Sequence, residues 1–142
     1  MNLKEFARRI RIIGQGVEDN ARELVVKTAL AIDQVLVTST PVDTGRARSN
    51  WRVSIGVGLT EEIEAYVLGV GGDTGGANAA AALQNAKQVL QEYKGGSAVY
   101  ISNNLPYITA LNEGSSAQAP AGFVELAVQE ASSVIKGARL VR

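Results

Sequence analysis

Cysteine and histidine are both absent from this chain of 142 residues. Without thiols there is no disulfide and no thiolate nucleophile. Without imidazole the usual zinc ligand, the base of a His-dependent triad and the commonest neutral-pH switch are missing. Metal chemistry is thereby confined to carboxylate sites for magnesium or calcium. Net charge is absent too: fourteen Lys and Arg balance fourteen Asp and Glu, so bulk charge points neither to nucleic acid nor to a membrane surface. No apolar run approaches the ~18–20 residues of a membrane span. Charge extends through Arg11, where a secretory signal would need an apolar segment, so the expectation is a protein made in the cytoplasm. Proline is scarce, three in all, and Pro106 and Pro120 both fall within residues 103–122.

What the chain does have is length for one core. A domain of this size buries roughly 68–70% of its unfolded surface, so a single domain over residues 1–142 is expected to fold without staples. Leu3, Phe6, Ile10, Ile13 and Val17 recur at spacings of three and four, and Ala21, Leu24, Thr28, Ile32 and Val35 continue the stripe. That pattern predicts one amphipathic helix over residues 2–38, roughly 50 Å long, with a kink or break near Gly14 and Gly16 and a stop enforced by Pro41. Trp51, Val53, Ile55 and Val57 alternate as one face of a strand over 51–57. Ile63, Ala65 and Val67 alternate against Glu62, Glu64 and Tyr66, which predicts an antiparallel partner over 62–68 across a hairpin loop at 58–61.

Further on, the glycines of 69–76 predict a flexible bend, followed by a helix over 77–94 that Gly95 and Gly96 end. A short strand over 98–102, a helical turn over 107–112 and a last helix over 123–135 complete the order. Val124, Ala127, Val128, Ala131 and Ile135 form the apolar side of that last helix. The reading is an α+β fold in which a long N-terminal helix and C-terminal helices pack on a small antiparallel sheet.

Several motifs need weighing. Pro41-Val42-Asp43-Thr44-Gly45-Arg46 reads as a turn of specified geometry: Asp43 accepts from backbone amides one or two residues on, and Gly45 takes a positive φ. Such a turn leaves Arg46 and Arg48 protruding, able to pair with carboxylates of a neighbouring subunit; the simpler reading is that it only joins helix to strand. Gly69 to Gly76 before a helix invites a phosphate-loop reading, but no Gly-Lys-Ser/Thr follows, and a loop that orders against a partner is preferred. Glu61, Glu62 and Glu64 with Asp73 suggest a divalent-ion or acid–base cluster; a solvated strand edge is the better account. Lys4, Arg8, Arg9 and Arg11 crowd the first helix, Arg46, Arg48 and Arg52 follow the first proline, and Lys136, Arg139 and Arg142 end the chain. They read as solvated faces, as charge complementing a neighbouring copy, or as a basic lining beside DNA. Pro106 opens the short helix after Asn103-Asn104, and Gly114 caps its end after Glu113.

Two segments then join. A Pro-Val-Asp-Thr-Gly-Arg turn after a long helix is followed by Tyr100-Ile101-Ser102-Asn103-Asn104-Leu105-Pro106-Tyr107. Leu111-Asn112-Glu113-Gly114-Ser115 and Gln118-Ala119-Pro120-Ala121-Gly122 come before a C-terminal helix. In pairing, order and separation, these resemble the small neck and tail-completion proteins of long-tailed bacteriophages. The likeness covers most of the chain in element order and residues 40–52 and 99–124 in detail. It departs at the Ala- and Gly-rich segment 69–97, expected as an insertion that reaches onto a neighbour or tube subunit.

The resemblance implies a structural virion protein without enzymatic activity or cofactor. It implies a hexameric ring at the neck that terminates the tail tube or joins tail to head and leaves a channel for DNA. Its partners would be further copies of itself, the tail-tube protein and head–tail connector or stopper proteins, with genomic DNA in transit. On this reading Asp43, Gly45 and Arg46 shape the first turn, with Arg48 beside them, and Tyr107, Glu113 and Pro120 shape the second connection. A head-side connector or stopper ring is the nearest alternative. From other classes come a small DNA-binding module using residues 4–11 and 46–52, and a divalent-ion hydrolase using residues 61–73.

Overall fold

The computed structural model describes residues 2–116 and 118–135. The basic C-terminal group Lys136, Arg139 and Arg142 lies outside them. Among the described residues there are five helices and two strands: α1 (Leu3–Ser39), α2 (Arg46–Ser49), β1 (Arg52–Ile55), α3 (Gly75–Gln91), β2 (Val99–Ser102), α4 (Ile108–Asn112) and α5 (Phe123–Ile135). The fold is α+β, as the element order predicts, with a long N-terminal helix and a two-stranded antiparallel sheet. No described helix is long and apolar enough to cross a membrane.

α1 starts where Asn2 accepts from the Glu5 amide at 2.9 Å, an N-cap that satisfies one of the orphan donors of the first turn. It runs unbroken through Gly14 and Gly16, so the expected break there does not occur. The cost of about 1 kcal/mol for each glycine is spread over a helix of 37 residues. Thr40 turns extended (φ −71°, ψ 130°) because Pro41 disfavours helical backbone before it. The helix has two halves. From Ala29 onward it buries Ala29, Asp33, Leu36 and Val37 against α3 and α5. Its first turns are exposed nearly all round.

The core is built mostly of small residues. Leu36 and Val37 meet Trp51, Ala79, Ala82, Ala119, Phe123 and Ala127 in one cluster; Ala29, Val53, Ala86 and Leu90 form a second. Alanines on α3 thus line the inner face of a helix expected to belong to an outward-reaching insertion. That expectation is corrected: α3 packs on α1, α2 and β1 and is part of the central packing.

The sheet also differs from the sequence reading. β1 pairs with β2, in register Arg52↔Ser102, Val53↔Ile101, Ser54↔Tyr100 and Ile55↔Val99, not with residues 62–68. Val57, expected on the buried face, is 76% exposed, because the strand ends at Ile55 and Gly56 (φ +84°) redirects the chain. Residues 58–69 form no strand, and the reason lies in three buried side chains. Asn50 donates to the Ile63 carbonyl at 2.7 Å and accepts its amide at 2.8 Å. Asn78 does the same for Val67, at 2.7 and 2.8 Å. The Tyr66 amide donates to Ser49 Oγ at 3.2 Å. Backbone groups that must find partners find them on side-chain amides and a hydroxyl, so no ladder forms. Glu61, Glu62 and Glu64 consequently sit on an irregular segment and not on a strand edge.

Candidate functional site

The turn after α1 is set by one glycine. Gly45 has φ +89°, open to it at little cost, and a Cβ there would run into the Asn78 side chain, with Thr74 Oγ1 3.2 Å away. Asn78 is fully buried. Besides holding Val67, it accepts from Ser49 Oγ at 2.9 Å and donates to the Thr74 carbonyl and hydroxyl, each at 3.0 Å. The Gly45 carbonyl also lies 2.9 Å from Ser49 Oγ, so the one hydroxyl proton is shared between it and Asn78. The turn, α2 and the start of α3 are therefore locked to one amide.

Asp43 differs from expectation. Its carboxylate accepts not from the next residues but from the Gly71 amide at 3.0 Å, while its carbonyl accepts from Gly72 at 2.9 Å. Asp73 takes the Val70 amide at 2.8 Å. The glycine-rich loop is thus fastened to the turn, and the amides of residues 70 and 71 that a phosphate would need are already held by carboxylates.

The arginines are engaged as well. Arg46 contacts Glu62 at 3.0 Å and Glu64 at 3.6 Å, and donates to the Ile63 carbonyl at 3.3 Å. Arg48 donates to the carbonyls of Thr40 (3.0 Å), Thr38 (3.1 Å) and Gly75 (3.2 Å). It closes the end of α1, where orphan carbonyls favour a cation. Burial lowers the Arg48 guanidinium from its ordinary value, though an arginine stays charged regardless. Arg52 reaches Glu61 at 3.6 Å. Neither Arg46 nor Arg48 is left protruding for a neighbour's carboxylates, and the second basic cluster of the DNA-binding alternative is largely consumed inside the chain.

The two motif segments meet. Gln118 clasps Val42 from both sides, accepting its amide at 2.9 Å and donating to its carbonyl at 3.0 Å. Asn103 donates to the Ala47 carbonyl at 3.0 Å. Between them opens a cleft of about 550 Å³, bordered by residues 41–47 and by Glu64, Leu68, Tyr107, Leu111, Ser116 and Gln118. Of the residues singled out from sequence, Asp43, Gly45, Arg46 and Tyr107 border it. Arg48 is turned into the end of α1. Glu113 follows α4 and Pro120 precedes α5, both exposed and away from the cleft lining. Gly114 has φ +97°, in keeping with its expected capping role. The Tyr107 phenol is pushed up chiefly by burial; Arg46 pulls it down, and Glu62, Asp43 and Glu64 push it up.

Sequence reasoning passed over Glu64, Leu68, Leu111 and Gln118 as cleft residues, and Asn50 and Asn78 as its supports. The one available signal was an asparagine inside a helix of alanines at position 78, where an amide is a poor helix former. Among the described residues no three of His, Cys, Asp and Glu converge on a metal position. The cleft sets apolar Leu68, Tyr107 and Leu111 beside charged Asp43, Arg46 and Glu64. No protein-family model, no curated protein and no solved structure matches this chain.

Proposed function

We propose that this chain is a structural neck or tail-completion protein of a long-tailed bacteriophage. In this reading it closes into a hexameric ring that terminates the tail tube or joins tail to head. The supporting observation is the meeting of residues 40–52 and 99–124, the two segments that carry the resemblance, in one cleft bounded by Asp43, Gly45, Arg46 and Tyr107 and tied by the Gln118–Val42 and Asn103–Ala47 bonds. Such a cleft suits contact with protein neighbours: more copies of this chain, the tail-tube protein and connector or stopper proteins. Genomic DNA passes through the channel, and the protein resides in the virion after synthesis in the host cytoplasm. The head-to-tail contact of a ring closes by rotation.

The test is native mass spectrometry with negative-stain imaging of one preparation, alone and with tail-tube protein. A closed ring with a central hole is expected. A compact dimer that binds duplex DNA with steep salt dependence would instead establish the DNA-binding alternative, whose remaining cations lie on the exposed turns of α1.

A further inference from the structure

We propose that the N-terminal arm of α1 docks in trans into the cleft of a second copy of this chain. The contact deepens the ring reading by naming its interface, and rests on that reading only for closure.

Two surfaces in this fold complement each other and are out of reach of each other within one molecule. The first is the arm. Leu3, Phe6, Ile10 and Ile13 are between 54% and 87% exposed, although their three- and four-residue spacing puts them on one helical face. Past Ala29 the helix buries a different side, through Ala29, Asp33, Leu36 and Val37, so no described part of the same molecule covers the arm's apolar residues. The rest of the arm carries Lys4, Arg8, Arg9 and Arg11, with Arg9 beside that face and Arg8 opposite it, and Glu5 is the single acid through Val17. Glu5 is already opposed by Arg9 at 3.6 Å, so the arm is a basic amphipathic helix.

The second surface is the cleft and its rim. Leu68, Tyr107 and Leu111 are among its lining residues, and Leu68 is 72% exposed with Val67 and Val70 beside it in the chain. Asp43 and Glu64 line it, Glu62 joins through Arg46, and Glu61 is largely exposed nearby in the chain. Four carboxylates stand there against two arginines, Arg46 and Arg52. An apolar helix face on a basic arm therefore complements a cleft with apolar residues and a net acidic rim, the form in which amphipathic helices are received by grooves, with charge fixing register and partner.

Geometry excludes the intramolecular version. α1 runs unbroken to the edge of the cleft at Pro41, so a rise of ~1.5 Å per residue puts Phe6 roughly 50 Å from its own cleft. A molecule with a plug at one end and its socket at the other associates head to tail.

The absence of cysteine makes the test clean. A copy carrying Ala7→Cys is mixed with a copy carrying Thr44→Cys, and the pair is treated with a short bismaleimide crosslinker at low salt. Both substitutions spare the apolar anchors. Arm-to-cleft products are expected to exceed arm-to-arm products by roughly tenfold or more. Arg8→Glu with Arg11→Glu on the first copy should remove that excess, and Glu61→Lys with Glu64→Lys on the second should restore it, with helicity unchanged throughout. Dominant arm-to-arm products, or none between copies, would overturn the docking. Native mass spectrometry separates the two readings: closed rings without the arm-to-cleft product overturn the docking and leave the ring. Crosslinked open pairs or chains uphold the docking and remove the ring.

Discussion

Asp33 is the residue least at ease in this fold. Its carboxylate is fully buried and neither oxygen has a hydrogen-bond partner. On the inner face of α1 it falls one turn from Ala29 and one from Val37, between the two apolar clusters. Burial pushes its pKa from 3.8 to about 7, so the folded state holds the proton more tightly than the unfolded chain. The unfolded state therefore binds fewer protons between those values, and stability falls as pH rises from about 4 to about 7 and then levels. At ~1.4 kcal/mol per tenfold change in proton affinity, the full loss is roughly 4 kcal/mol. Denaturant titrations across that range should show it, and Asp33→Asn should flatten the profile; an equally steep profile in the variant would exonerate Asp33. Gly45 is the opposite case, a residue that fits only because it lacks a side chain. Gly45→Val should cost roughly 2–4 kcal/mol, since it forces positive φ on a branched residue and displaces Asn78 from its bonds. Ring assembly should fail with it while far-UV helicity survives; unchanged stability would count against the lock described for the turn.

At the level of elements, α1 and residues 58–69 show what a sequence pattern encodes. The helical period of α1 was legible because it is local, and Pro41 marks its end on steric grounds alone, but the residues it buries, Ala29, Asp33, Leu36 and Val37, lie off the expected stripe. The bounds of α5 likewise follow from its apolar spacing. The exposed arm is helical without tertiary support, so its order rests on propensity. A Cβ at Gly14 or Gly16 would meet nothing within 4 Å. Gly14→Ala and Gly16→Ala should each slow amide exchange in residues 3–16 roughly fivefold, the equivalent of about 1 kcal/mol, and leave global unfolding nearly unchanged. Exchange rates that do not move would show the arm is not helical on its own. Residues 62–68 alternate as a strand does, yet alternation reports only which side chains face inward. Whether the backbone finds a strand depends on what is opposite. Here Asn50 and Asn78, contributed from either side in sequence, reach Ile63 and Val67 first, and β2 takes the place beside β1.

For the molecule as a whole, the cleft joins segments far apart in sequence, and the arm stands at the far end of the helix that leads into it. The sequence by itself determined the α+β class, the long helix and its stop, the last helix, the positive φ of Gly45, and the exclusion of thiol and imidazole chemistry. These follow from composition, periodicity and backbone sterics, which act over a few residues. Only the tertiary structure decided that β1 pairs with β2 and that α3 belongs to the core. It alone engaged the arginines at 46, 48 and 52 within the chain, left Asp33 without a partner, and brought Gln118 to Val42. Those depend on which groups the packing brings together, apolar faces and polar partners at about 3 Å alike, and a local pattern does not encode the other side of such a contact.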